Sequence, residues 1–203
     1  MEVEDLDRLG YVELDVMDHD NIMPFIRTYL GKSVASKWIF AIACFLPLGF
    51  AVGSIIGLHL RDKLPWGEGV NLLFLGIACA FLLIPVHECI HMLAYRSQGA
   101  TNTSFGVDLK RFVFLALADR FVADRRAFRI VAAAPFVMIT VCLLVPMAFV
   151  HAQAQLVLLG ALSMHTACCS GDLGLLAYFD HHRGKDVVTY DDVAAKRSYF
   201  LAR

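Results

Sequence analysis

His87-Glu88-Cys89-Ile90-His91 is an H-E-x-x-H sequence set inside an apolar stretch. An α-helix turns about 100° per residue, so His91 lies one turn beyond His87 and roughly 40° around the axis from it. Both imidazoles then reach one ion, and Glu88 stands beside them as a base for water. Zinc held in this way lowers the pKa of water to about 7, which supplies hydroxide at neutral pH. A catalytic zinc also needs a third protein ligand and an open position. One other acid lies within the apolar segments: Asp172, in Ser170-Gly171-Asp172-Leu173-Gly174. A carboxylate in hydrocarbon costs of order 3 kcal/mol on insertion scales, so a chain that keeps two there has a use for them. His87, His91 and Asp172 are the candidate zinc ligands, and Glu88 is the candidate general base. His165 competes for the third ligand position. It lies seven residues before Asp172, two turns away on the same helix face. On sequence alone it is a ligand, a partner of a ligating histidine, or a polar contact between helices.

The elements that must position these groups are membrane helices. Of the 203 residues, 58% are hydrophobic, far above the apolar share of a soluble domain. They come in four runs. Trp38 to Leu60 and Ile130 to His151 carry no Asp, Glu, Lys or Arg; Val70 to Tyr95 carries only Glu88, and Gln153 to Phe179 only Asp172. Each run is long enough to cross a bilayer as a helix, which takes about 20 residues. The expected fold is an all-α membrane protein of about four transmembrane helices. Pro85, two residues before His87, removes a hydrogen bond to the carbonyl of Phe81 and predicts a kink where water can enter.

Charge placement orients the spans. Net charge is −1, but 16 of the 18 Lys and Arg fall before the first run, between the second and third, or after the fourth; only Arg61 and Lys63 lie elsewhere. The positive-inside rule therefore puts both termini and the central segment in the cytoplasm of a plasma-membrane protein. The start, Met1-Glu2-Val3-Glu4-Asp5, is acidic and does not read as a secretory signal. All six cysteines sit in apolar runs with no C-x-x-C spacing, which reads as small buried hydrophobes and not as a disulfide framework.

Three extramembrane stretches follow. Residues 1–37 are a cytoplasmic N-terminal segment, in which Asn21 to Leu30 predicts a short interfacial helix with Ile22, Phe25, Ile26 and Leu30 on one face. Between the second and third runs, Thr101 to Val107 and Arg111 to Leu117 are rich in Phe, Val and Thr and predict a short β-hairpin, after which Asp119 or Asp124 caps a helix. Residues 181–203 are a polar cytoplasmic tail, with a short surface helix expected around Asp191-Asp192 and Lys196-Arg197. The membrane-embedded domain between them spans 38–180.

The chain resembles the zincin peptidases of bacterial membranes, small multi-pass proteins related to site-2 protease-like intramembrane zinc metalloproteases. The resemblance rests on the H-E-x-x-H that ends an apolar helix, the extended segment after it, Ala132-Ala133-Ala134-Pro135, and Ser170-Gly171-Asp172. It implies His87, His91 and Asp172 as zinc ligands, Glu88 as general base, and an extended segment that pairs with an unfolded substrate strand. One departure stands out: a longer Asp-Gly signature around the third ligand is reduced here to Gly171-Asp172, in reversed order. The expected activity is hydrolysis of peptide bonds in membrane-associated protein substrates, within or beside the bilayer, with Zn2+ as cofactor. The expected partners are a protein or peptide substrate and the lipid bilayer, with no nucleic acid; oligomeric state is left open. Two rival readings remain at this point: a non-catalytic membrane metal-binding protein, and a small oligomeric ion or proton transporter.

Overall fold

The computed structural model describes residues 1–32, 34–108 and 113–203. Among them lie seven α-helices and six strands, in the order β1 (Val12–Asp18), α1 (Ile22–Lys32), α2 (Val34–His59), α3 (Trp66–Leu82), α4 (Ile84–Ser97), β2 (Thr103–Asp108), β3 (Val113–Ala118), β4 (Ala123–Asp124), α5 (Arg125–Met147), α6 (Ala152–Cys168), α7 (Ser170–His181), β5 (Val187–Asp192) and β6 (Arg197–Ala202).

Among the described residues the four apolar runs are all helical, though only two are single helices. Lys37–His59 and Arg125–Met147 are each long and apolar enough to cross a bilayer. The pairs α3 with α4 and α6 with α7 meet the same test only as bent pairs, broken by 41° and 46°. The protein thus has two membrane-length helices, or up to four spans if each bent pair is one. The first break follows from the sequence. Leu83 N turns back to Ala80 O, tightening the last turn of α3, and Pro85 has no N–H to offer the carbonyl of Phe81. The second break is at Cys169, whose N–H reaches both His165 O and Thr166 O. His165 and Asp172 are therefore on different helices, and the expectation that they share one helix face fails.

The chain divides into two compact units. The first comprises residues 1–34, 88–135 and 171–203. Its centre is a four-stranded antiparallel sheet in the order β1-β6-β5-β4, with Val12 opposite Ala202 and Asp18 opposite Arg197. This sheet corrects the all-α expectation. The tail forms a hairpin, not a surface helix, because Val187-Val188-Thr189-Tyr190 and Ser198-Tyr199-Phe200-Leu201 are β-branched or aromatic and pack better on a pleated surface. The charged residues between them make the turn, in which Lys196 takes a positive φ of 53° and the Asp192 side chain accepts from Ala195 N. The other hairpin forms as expected: β2 and β3 pair from Thr103–Ala118 to Asp108–Val113. Its connecting residues fall outside those described.

Helix α1 is also found, but it lies in the unit's core. Ile22, Ile26 and Tyr29 are buried with Met17, Phe128, Tyr178, Phe179 and Phe200. Gly174 of α7 lets α1 come close; a Cβ there would sit 2.5 Å from Ile26 Cγ2. Tyr29 and Tyr178 both donate to Asp15 of β1 at 3.0 Å. The sheet, α1 and α7 are thereby tied together, and α7 carries Asp172. Of the two candidate caps, Asp124 is the one that starts α5, accepting from Ala127 N at 2.7 Å.

The second unit comprises residues 35–87 and 136–170. Its tightest contact is between α3 and α6. A Cβ on Gly76 would lie 2.0 Å from Val157 O, and one on Gly160 would lie 2.3 Å from Leu73 O. Small residues at a membrane-helix interface permit this backbone-to-backbone approach. Leu73, Leu156 and Leu159 are buried around it with Ala51, Ile55 and Leu64.

Candidate metal centre

Helix α4 supplies the H-E-x-x-H residues. His87, Glu88 and His91 are all buried, at 7%, 6% and 7% exposure. The helix carries its hydrogen bonding through the motif, with His87 N bonded to Leu83 O at 2.8 Å, so His87 and His91 are separated by one regular turn.

In the first unit, His91 meets Asp172. His91 Nε2 lies 3.1 Å from Asp172 Oδ1, while its other ring nitrogen, Nδ1, lies 3.0 Å from the carbonyl oxygen of Val131. A carbonyl only accepts, so Nδ1 carries the proton and donates it. Helix α5 provides that carbonyl, and Val131 packs with Ala94 and Tyr95 of α4 in a small buried cluster that also borders Ala134. Of the small residues before Pro135, Ala134 thus borders a cluster that includes the motif helix. Asp172 sits in the first turn of α7.

In the second unit, His87 meets two further residues. His87 Nδ1 lies 3.4 Å from His165 Nε2 and 3.9 Å from Cys169 Sγ, and Cys169 Sγ lies 3.7 Å from His165 Nε2. His165 is 2% exposed and Cys169 fully buried. Both belong to one turn, since Cys169 N bonds to His165 O at 3.1 Å. Cys169 was missed in the sequence as a chemical group. Its spacing from His165, four residues, is the same as that of His87 from His91 and would have flagged it. The adjacent Cys168 is exposed and takes no part.

The model of DUF3267, the Putative zincin peptidase family, matches residues 80–182. The chain belongs to this family. The matched segment holds every residue just described, from His87 to Asp172. No curated protein and no solved structure matches the chain. Zincin peptidases use zinc, so zinc is the cofactor the family brings.

The residues fit that ion. With Nδ1–H given to Val131 O, His91 turns Nε2 toward a carboxylate oxygen 3.1 Å away. Imidazole nitrogen and carboxylate oxygen are standard zinc donors, and the backbone carbonyl behind His91 fixes its tautomer and ring orientation in the way that ligating histidines require.

Proposed function

We propose that this zincin-family chain is a site-2 protease-like metallopeptidase of the plasma membrane, which hydrolyses peptide bonds of membrane-associated protein substrates within or beside the bilayer. His87, His91 and Asp172 are the ligands and Glu88 is the general base. The observation that carries this reading is the His91–Asp172 pair at 3.1 Å, with the other His91 nitrogen fixed by Val131. His87 joins them because it stands one helical turn from His91 on the same helix.

The chemistry that zinc supplies when bound there is Lewis acidity, toward a scissile carbonyl and toward water. The chain's own residues do the rest. His91 is held in one orientation by Val131 O. Asp172 brings a negative charge that favours a dication. Glu88, next to His87 and buried, takes the proton from the attacking water and delivers it to the leaving amine nitrogen. The break at Leu83 and Pro85, just before the motif, opens the helix to water where it is consumed. A substrate helix must unwind first, because its carbonyls are hydrogen-bonded.

Four spans with both termini in the cytoplasm are supported by the sheet as well as by charge. Strand β1 precedes α2, and β4 follows α4, yet both belong to one sheet. An even number of crossings must separate them, which α2 plus the bent pair α3–α4 provides. The same holds between β4 and β5, with α5 plus the bent pair α6–α7.

Glu88→Gln separates the roles. It keeps the metal ligands and is expected to retain zinc while losing about 10²–10⁴-fold in peptide cleavage. His87→Ala loses both. Cleavage at the wild-type rate by zinc-loaded Glu88→Gln protein would remove Glu88 as base and the reading with it.

A further inference from the structure

His87, His165 and Cys169 have a geometry that hydrogen bonding explains poorly. The two ring nitrogens are 3.4 Å apart, beyond the 2.7–3.2 Å of a good N–H donor bond. The thiol sits 3.7 and 3.9 Å from them. A tetrahedral zinc with bonds of about 2.0–2.1 Å to nitrogen and 2.3 Å to sulfur has ligand-to-ligand edges of roughly 3.3 Å for N···N and roughly 3.6 Å for N···S. The three atoms therefore form a triangle close to one face of that tetrahedron. All three residues are buried, and all lie in the second unit. His165 and Cys169 are also on one turn, at the break between α6 and α7.

We propose that His87, His165 and Cys169 are a second zinc-binding set, which holds the ion in a thiolate-ligated form that does not hydrolyse peptides. The set shares His87 with the ligands of the peptidase reading, and its competitive character rests on that reading. A neutral imidazole has one lone pair. His87 Nδ1 faces His165 and Cys169, so Nε2 is the nitrogen left to serve with His91 and Asp172. One tautomer of His87 loads the hydrolytic set and the other loads the thiolate set. Ligation by Cys169 replaces its S–H bond with an S–Zn bond, and the proton passes to water. Such a set holds zinc through the same histidine that the hydrolytic set uses. It also keeps the peptidase idle while the thiolate is bound, because a soft thiolate binds zinc more firmly than a carboxylate does.

Cobalt(II) reads the two sets separately, since only a thiolate ligand gives a sulfur-to-cobalt charge-transfer band in the near ultraviolet. The full-length protein in detergent is stripped of metal and titrated with Co2+. Asp172→Asn disables the hydrolytic set and leaves the second intact. This variant is expected to bind stoichiometric cobalt with the thiolate band. His91→Gln, which disables the same set from another helix, is expected to behave alike. Adding Cys169→Ser to Asp172→Asn should abolish the band and weaken cobalt binding by about ten-fold or more. Cys169→Ser alone should still bind cobalt, without the band, and so shows that the substitution is compatible with the fold. If Asp172→Asn and His91→Gln both lack the band while Cys169→Ser binds cobalt, the second set does not exist. That result leaves the peptidase reading standing, which fails instead by the cleavage test on Glu88→Gln.

Discussion

Glu88 and Asp172 are both carboxylates within apolar helices, and their surroundings differ. Asp172 faces Nε2 of His91 at 3.1 Å, and the Nδ1 proton of that histidine goes to Val131 O. Glu88 is buried on the motif helix between the two histidines. A third acid shows how burial acts outside the spans. Asp191 of β5 accepts from Ser198 Oγ at 2.6 Å and from Ala118 N at 3.2 Å, and burial raises its pKa above the ordinary carboxylate value. A raised pKa in the folded state favours the protonated form. Its stabilising contribution is complete below the ordinary value and is lost as pH rises through the folded value. The melting midpoint of detergent-purified protein should therefore decline as pH rises above the ordinary carboxylate range, and Asp191→Asn should flatten that decline. An identical slope in the variant contradicts this. The pairing of His91 with Asp172 was legible from single residues, because an acid in an apolar run has few alternatives. Cys169 was not, since cysteine among apolar residues reads as a small hydrophobe until a structure shows what lies beside it.

At the scale of elements, the helices are positioned by places where a side chain is missing. Gly76 and Gly160 let α3 and α6 touch backbone to backbone. Gly174 admits α1 beside the helix that bears Asp172. Gly76→Ala sets a methyl against a carbonyl that cannot rotate away, and overpacking of this kind costs about 1–3 kcal/mol. Gly174→Ala meets the flexible side chain of Ile26 first and is expected to cost less. Thermal unfolding in detergent ranks the two; a larger loss for Gly174→Ala would reverse the argument. The same local rules explain what was and was not readable. Helix existence followed from apolar length, whereas the breaks at Leu83 and Cys169 divide runs whose hydropathy continues without interruption. Pro85 signalled the first break. Nothing as strong signals the second, so His165 and Asp172 were placed on one helix face that does not exist.

At the scale of the molecule, the sheet joins segments that the sequence keeps far apart. Strand β1 alternates in Val12-Glu13-Leu14-Asp15-Val16, yet Val12 and Val16 are exposed while Met17 is buried, after a bulge between Glu13 and Asp15. The strand was not read from the sequence, and its partner β6 is far away along the chain, beyond the reach of local pattern. This pairing makes topology testable. Cysteine introduced by Asp5→Cys or Arg183→Cys should react with an impermeant thiol reagent from the same side of the membrane, and Lys63→Cys only from the other. Labelling of Lys63→Cys from the same side as the first two would refute a crossing by α2, and labelling of the first two from opposite sides would refute the even count of crossings.

The pairing of Val12 with Ala202 also sets a schedule for biosynthesis. Strand β1 is made before α2 to α7, and its partner β6 is made after them. Until then Asp15 can hold Tyr29, which is a near neighbour, but not the Tyr178 hydroxyl that links it to α7. The helix bearing Asp172 is thus tied to β1 only after the helices between them have been made.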